Sequence, residues 1–204
     1  MLNLEHGNKG MWGRSMDRTT IQFCGFGGQG IVLSSVILGT AAVTKAGLNG
    51  VQTQSYGSEA RGGECQAELI LAQGPINSPL AERVDILVAM SQSALDKYLE
   101  RLRPGGALVI DPELVDVPAS YADNQGDFVV AQVPATRIAS DLGARIAANM
   151  VMLGFLQQAT GLLSQDALTD TIRDNVPPRF LELNLQAAAE GMALARETGF
   201  KVEV

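Results

Sequence analysis

Short apolar runs, bounded by glycine, proline and polar residues, alternate with longer stretches along the chain. Their length and their content of β-branched residues are typical of buried or half-buried strands. They predict strands at residues 20–24, 50–55, 64–72, 84–90, 107–111 and 127–135. The pattern therefore predicts a sheet of five or six strands.

Longer stretches with helical spacing of apolar residues lie between and after these strands. They predict helices at residues 29–45, 93–102, 136–160, 165–175 and 179–197. We expect the "PGG" that begins at Pro104 to stop the second helix. The paired prolines of "NVPPRF" should separate the last two, because proline disrupts a helix interior. The first helix is apolar on nearly every side, so we expect the sheet to cover one side and hypothesise that a second subunit covers another.

The order of these elements predicts an α/β fold. About eight residues join the strands at 50–55 and 64–72, whereas a parallel crossover needs about a dozen or more, so these two strands should be antiparallel neighbours. The later strands alternate with helices, as in parallel sheets. We therefore predict a Rossmann-like, mostly parallel sheet with flanking helices and a C-terminal helical extension. Residues 19–204 should form this single domain, after a flexible arm at residues 1–18.

Composition narrows the classes of function. The chain has 204 residues, a formal net charge of −7 and no cluster of Lys and Arg, which argues against nucleic-acid binding. Two cysteines, Cys24 and Cys65, and one histidine, His6, are too few for a structural zinc site or an iron–sulfur ligand set. Free cysteines favour a cytoplasmic protein, although a disulfide between the two is left open. We predict neither a signal peptide nor a membrane span.

The stretch "GFGGQG", residues 25–30, has the glycine spacing of a nucleotide-binding turn between a strand and a helix. Such a turn presents backbone N–H groups and the positive end of a helix dipole to an anion. A dinucleotide site would also need an acidic residue at the end of the second strand, where this chain has Gln52, Gln54 and Ser55. Dinucleotide binding is therefore disfavoured. A purely structural turn stays open as an alternative to an anion site.

A second glycine-rich loop, "QSYGSEARGGE", extends from Gln54 to Glu64. The strand before it should run parallel to the first strand, which places both loops at the same edge of the sheet. Arg61 is then a candidate partner for phosphate or carboxylate, because its guanidinium can donate two parallel hydrogen bonds. In the alternative interpretation, Arg61 pairs with Glu59 or Glu64 and Tyr56 packs as a lid.

Three further stretches follow the two loops: "VDILVAMSQSALDKYLERLRPGGALVID", "AANMVMLGFLQQATG" and "FLELNLQAAAEGM". Their order resembles the gamma subunit of 2-oxoacid:ferredoxin oxidoreductases, most closely the 2-oxoglutarate branch, from about Ile21 to Gly191. The resemblance implies a multi-subunit enzyme that decarboxylates a 2-oxo acid on thiamine diphosphate. Such an enzyme passes two electrons through iron–sulfur clusters to ferredoxin and transfers the acyl group to coenzyme A. The resemblance further implies that the gamma chain is similar to the domain that lies over the active site and contributes to coenzyme A handling.

The resemblance implies coenzyme A as a co-substrate in a shared site, and candidate residues are carried over where the motifs match. They are Gly25, Gly27, Gly28, Gln29 and Gly30 in the first loop, Ser55, Tyr56, Gly57, Glu59, Arg61, Gly62 and Gly63 in the second, and Asn149. Ser58 stands where the family often has proline, which leaves the second loop freer. An alternative for Asn149 is a helix residue that hydrogen-bonds a neighbouring loop. We assign no catalytic or metal-binding residue to this chain.

The chain also lacks the Gly-Asp-Gly signature of a thiamine diphosphate and magnesium site, since "QGDF" at residues 125–128 supplies only Gly-Asp. We therefore expect thiamine diphosphate, magnesium and iron–sulfur clusters on partner alpha and beta subunits, with a ferredoxin-like delta subunit as a further candidate. Ferredoxin would be an indirect partner, and a homodimer is an alternative state of the isolated chain. Two other functions stay open: a free-standing nucleotide-binding module and a purely scaffolding subunit.

Overall fold

One sheet of six strands runs through the residues that the computed structural model describes, which are 18–56, 63–117 and 128–202. The strands are β1 (Thr19–Phe26), β2 (Asn49–Tyr56), β3 (Glu64–Ala72), β4 (Val84–Ala89), β5 (Leu102–Ile110) and β6 (Val129–Gln132). Their spatial order is β2-β3-β1-β4-β5-β6. Each of them overlaps a run that the hydrophobic pattern predicts as a strand.

Only β3 runs against the other strands. It is antiparallel to both β2 and β1, whereas β1 and β4, β4 and β5, and β5 and β6 are parallel pairs. The expected antiparallel pairing of β2 with β3 and the mostly parallel sheet are confirmed. β3 lies between β2 and β1, a position that the sequence pattern does not specify.

Helices cover both faces of the sheet. They are α1 (Ile31–Lys45), α2 (Gln92–Tyr98), α3 (Ala135–Asp141), α4 (Ala148–Thr160), α5 (Gln165–Asn175) and α6 (Pro178–Thr198). Because side chains alternate along a strand, Phe23 of β1 packs in one hydrophobic cluster with α1 and the C-terminal helices, and Cys24 packs in another with Leu95 of α2. The predicted α/β class with flanking helices is confirmed.

The prediction of one continuous helix at residues 136–160 is wrong. α3 ends at Asp141, a short 3-10 turn spans Arg145–Ala147, and α4 begins only after it. Gly143 adopts φ 85° and its N–H donates to the carbonyl of Ser140, which closes the last turn of α3. Apolar spacing continues across this break, so the pattern does not reveal it.

The predicted stop at "PGG" is also wrong. α2 and the 3-10 turn Leu99–Arg101 end before it, and β5 begins directly at Leu102, so the glycines lie inside the strand. A Cβ atom at Gly106 would lie 2.8 Å from the carbonyl oxygen of Asp85. The glycine is therefore needed where β5 approaches the backbone of β4 closely.

α4 and α6 cross at a pair of glycines. A Cβ atom at Gly154 would overlap the carbonyl oxygen of Ala188, and one at Gly191 would overlap that of Val151. These contacts bring the two helix backbones together. The C-terminal helices share one hydrophobic cluster with α1 and the sheet, so the predicted extension is part of the main core.

The predicted N-terminal arm lies outside the described residues except for Arg18, and its boundary with the domain stays a prediction. In the described ranges, none of the helices is both long and apolar enough to cross a membrane.

Candidate functional site

The glycine turn joins the end of β1 to the start of α1. Gly28 adopts φ 100° and Gly30 φ 75°, in the left-handed region where side chains are strained. Gly30 is the N-cap of α1 and has no side chain that could accept a hydrogen bond from the first turn. The first backbone N–H groups of a helix have no partner within the helix, so this end of α1 suits an anionic ligand.

Gln29 holds the turn in place. Its Oε1 accepts a hydrogen bond from the N–H of Phe26 at 2.6 Å, and its Nε2 donates to the carbonyl of Met90 at 2.7 Å. A Cβ atom at Gly25 would collide with this amide and lie 3.2 Å from the Cβ of Met90. Gln29 therefore bridges the carboxyl ends of β1 and β4, the crevice in which open α/β sheets commonly bind ligands. The family resemblance implied Gly25 and Gln29 as ligand contacts, and no sequence motif indicated this clamp.

The two glycine-rich loops meet at the same edge of the sheet. The N–H of Gly27 donates to the carbonyl of Gly63 at 2.9 Å, and Cys65, at the start of β3, is paired with both Gly25 and Tyr56. This agrees with the shared edge expected from the strand directions. The other candidates in the second loop, Gly57, Glu59, Arg61 and Gly62, lie outside the described residues.

A cavity of about 390 Å³ opens above the glycine turn. Among the predicted residues it is lined by Gly27, Gly28, Gly30, Tyr56 and Asn149. Ser55 does not line it, because successive residues of a strand point to opposite faces. The other lining residues are Phe26, Ile31, Val32, Leu33, Cys65, Ile146, Val176, Pro177, Phe180 and Asn184. Of the described residues that line the cavity, none is charged.

The wall formed by the C-terminal helices was not predicted. Val176, Pro177, Phe180 and Asn184 come from the joint before α6 and from its first turns. The sequence signal there was the proline pair of "NVPPRF", which we interpreted only as a helix boundary. Nothing in the local pattern indicates that this boundary faces the glycine turn.

Asn149 connects α4 to the glycine turn. It is 3% exposed, and its Nδ2 donates to the carbonyl of Gly30 at 3.5 Å. A Cβ atom at Gly30 would lie 2.7 Å from the Cγ of Asn149. Gly30 is thus required both by its backbone angles and by the neighbouring amide. The contact matches the alternative in which Asn149 bonds a neighbouring loop, while the same residue also lines the cavity.

A second, smaller cavity of about 280 Å³ lies on the other side of Gly28. It shares Gly28 and Ile146 with the first cavity and is also lined by Gln29, Thr136 and Arg145. Arg145 alone is charged among the described residues that line either cavity, and it forms no ion pair within the described part of the chain. No sequence motif singled out this arginine.

Neither cysteine is poised for catalysis. Burial raises the pKa of Cys65, which lines the first cavity, so its thiol is protonated at neutral pH. Burial, with a smaller effect of the Glu64 charge, raises the pKa of Cys24 to about 12. Both cysteines are free and point to opposite faces of the sheet, which excludes the disulfide left open by the sequence. Within the described ranges, no three metal-ligating side chains cluster.

Comparison with known proteins identifies the family. The pattern of the family described as "Pyruvate ferredoxin/flavodoxin oxidoreductase" matches residues 20–194. The chain belongs to this family. Among its members, the 2-oxoglutarate synthase subunit KorC of Methanothermobacter thermautotrophicus is 45% identical over 183 residues, which cover 88% of this chain and 96% of that protein. The recognition of an oxidoreductase subunit is confirmed.

Two solved structures of related proteins have the same fold. The gamma subunit of keto/oxoacid ferredoxin oxidoreductase from Geobacter sulfurreducens PCA matches with a TM-score of 0.76 and 36% identity, over 88% of this chain and 99% of that one. The 2-oxoglutarate:ferredoxin oxidoreductase of Magnetococcus marinus, with 2-oxoglutarate, coenzyme A and succinyl-CoA bound, matches with a TM-score of 0.81 over 91% of this chain. That match covers 33% of the longer chain at 23% identity, so it shows the fold alone.

Proposed function

We propose that this chain is the gamma subunit of a 2-oxoacid:ferredoxin oxidoreductase that acts on 2-oxoglutarate. The enzyme would decarboxylate the 2-oxo acid, pass two electrons to ferredoxin and form the thioester with coenzyme A. The substrate assignment is supported by the 45% identity to a KorC subunit along nearly its whole length. The role within the enzyme is supported by one observation: the glycine turn and Tyr56, which precedes the second loop, line a cavity at the start of α1 whose described lining residues are uncharged.

The geometry of this cavity suits part of coenzyme A. Its volume of about 390 Å³ is within the range of small-molecule sites, and its largely apolar wall fits an adenine ring or a pantetheine chain. The phosphates of coenzyme A need hydrogen-bond donors, which the N–H groups at the start of α1 offer. Arg145 beside Gly28 and Arg61 in the second loop would add positive charge. We propose that the predicted loop residues and Asn149 form this side of the site.

The described lining residues supply no group for the chemical steps. The Cys65 thiol is protonated at neutral pH, and none of the described residues that line the two cavities is a histidine, an aspartate or a glutamate. We therefore propose that thiamine diphosphate, magnesium and the iron–sulfur clusters reside on alpha and beta subunits, with a delta subunit as a further partner. This chain would bind and orient coenzyme A and exclude water from the shared site. The cytoplasmic location expected from the free cysteines stays a prediction.

The test is a comparison of two reactions of the assembled enzyme. Arg61→Ala and Arg145→Ala should each raise the KM for coenzyme A by at least about tenfold, since a charge-assisted hydrogen bond contributes about 1.5–3 kcal/mol. Exchange of CO₂ with the 2-oxo acid, which needs no coenzyme A, should be unchanged. Arg137→Ala is the matched control, because Arg137 lies on α3 and lines neither cavity.

An unchanged KM in both variants would show that the arginines are structural and would refute the coenzyme A role. Loss of both reactions would indicate a defect in assembly. Tight binding of ATP or NAD to the isolated chain, measured by calorimetry, would favour the free-standing nucleotide-binding module.

A further inference from the structure

β2 forms an edge of the sheet that lacks the usual protection. It pairs with β3 in an unbroken register from Asn49 opposite Ala72 to Tyr56 opposite Cys65, and within the described residues no strand pairs with its other side. Its sequence, "NGVQTQSY", contains no charged residue and no proline. Proteins normally protect exposed edges with charges, prolines or bulges, because free backbone groups pair readily with another chain. The opposite edge, β6, has four residues compared with eight in β2.

The outer side of α1, next to this edge, is apolar. Leu33 and Val43 are 38% and 46% exposed, and Val36 and Thr40 between them are half-buried. Their spacing of three, four and three residues places them along one side of the helix. A helix that is apolar on both its inner and outer sides is normally covered on both. We call this row of four residues the outer stripe of α1.

A groove of about 300 Å³ separates the outer stripe from β2. It is lined by Ser35, Val36, Gly39, Thr40, Val43, Thr44, Gly50, Gln52 and Leu69, none of which is charged. Ser35 is fully buried, and its hydroxyl has no hydrogen-bond partner among the described residues.

The groove leads to the candidate site. Leu33, at one end of the outer stripe, and Tyr56, at the end of β2, both line the cavity above the glycine turn. A segment docked along β2 would therefore end at the mouth of that cavity. In the proposed function, the polypeptide that must reach this mouth is the subunit that performs the chemistry.

The comparisons agree with a contact between polypeptides. In the Magnetococcus marinus protein the same fold is a third of a longer chain, whereas the KorC relative, matched over 96% of its length, is named as a separate subunit. A contact that is internal in the longer chain would lie between subunits in the shorter form.

We infer that β2, the groove and the outer stripe of α1 dock an extended, uncharged segment of the partner subunit. The segment adds to the free edge of β2 and places alternate apolar side chains in the groove, so that backbone hydrogen bonds and apolar burial both contribute. This inference rests on the proposed function, because the occupant is a subunit of the same enzyme.

The experiment compares the isolated chain with the complex formed by co-expression with the partner subunits. Amide hydrogen exchange in β2 should slow by at least about tenfold on assembly. Val43→Glu and Gln52→Lys place charges in the groove and should each lower the yield of complex about tenfold, with an unchanged Tm of the isolated chain. The matched control is Leu80→Glu, which charges a residue that is 75% exposed and outside the groove.

Equal exchange in β2 before and after assembly would overturn the inference, as would normal assembly of both groove variants. A homodimer of the isolated chain that Val43→Glu dissociates would identify a second copy as the occupant. Faster exchange in β2 after removal of residues 1–17 would identify that segment instead. If the wild-type chain forms no complex with these subunits, the proposed function fails as well. If the wild-type chain and both groove variants form the complex in equal yield, only this docking surface is refuted.

Discussion

Gly30→Ala should destabilise the protein for two separable reasons. The backbone at Gly30 has φ 75°, and a side chain in this conformation costs about 1–2 kcal/mol. The added Cβ atom would also lie 2.7 Å from the Cγ of the buried Asn149, and forced overpacking costs about 1–3 kcal/mol. Together we expect a loss of about 2–5 kcal/mol in the free energy of unfolding, a large part of the usual total of about 5–15 kcal/mol.

A double-mutant cycle separates the two contributions. An Asn149→Ala background removes the contacts with the amide and leaves only the Cβ atom of residue 149, which lies 3.2 Å from the added Cβ atom. Gly30→Ala should then cost little more than the backbone strain of about 1–2 kcal/mol. Gly28→Ala is the matched control, because Gly28 also has a positive φ but a Cβ atom there would meet nothing within 4 Å. Urea unfolding, followed by circular dichroism, measures the free energy of unfolding of the wild type, the two single variants, the double variant and the Gly28→Ala control.

Equal costs of Gly30→Ala in the two backgrounds would show that Asn149 does not restrict this position. The assembled enzyme adds a functional measurement, since a displaced Asn149 and a strained turn should raise the KM for coenzyme A in Gly30→Ala more than in Gly28→Ala. The opposite order would contradict the placement of the ligand next to Asn149.

Three further predictions concern the core and its buried polar groups. Gly191→Ala should lower the free energy of unfolding by about 3 kcal/mol, because its Cβ atom would overlap the backbone of α4. A decrease in Tm of less than about 2 °C would contradict the close crossing of the two helices. Ser35→Ala should leave the isolated chain as stable or slightly more stable in urea unfolding, because its buried hydroxyl has no partner in the described residues; a loss above about 1 kcal/mol would be inconsistent with this. Burial raises the pKa of the Cys24 thiol from 9.0 to about 12, so the unfolded state releases this proton at a lower pH than the folded state does. The free energy of unfolding should therefore be unaffected by this group below pH 9 and should decline between pH 9 and about 12. Cys24→Ala should reduce that decline in unfolding curves measured across this pH range.

Much of the candidate site could be predicted from sequence because its first wall is local. The glycines of the turn follow a strand and precede a helix within a few residues, and the short link between β2 and β3 allows only an antiparallel pair. These two facts place the loops at one edge of the sheet, as the hydrogen bond between Gly27 and Gly63 shows. The helix at 165–175 has the predicted ends, since Ser164 caps it and the apolar spacing is regular.

The remaining features depend on contacts between segments that are distant in the chain. Three of these contacts link residues 61 or more positions apart: the clamp of Gln29 on Met90, the approach of Asn149 to Gly30, and the cavity wall that Phe180 forms opposite the glycine turn. The break between α3 and α4 is equally invisible to apolar spacing, which continues across it.

The sequence by itself determined the strands, most helices, the glycine turn and the family, because each depends on residue types at short spacing. Only the tertiary structure decided that β3 separates β2 from β1 and that α6 faces the turn. It also decided that no other described segment covers the edge formed by α1 and β2. The spacing of apolar residues within a segment indicates whether it is a strand or a helix and which of its sides is buried. Which segments then meet depends on how closely their backbones can pack, as the glycines between α4 and α6 permit.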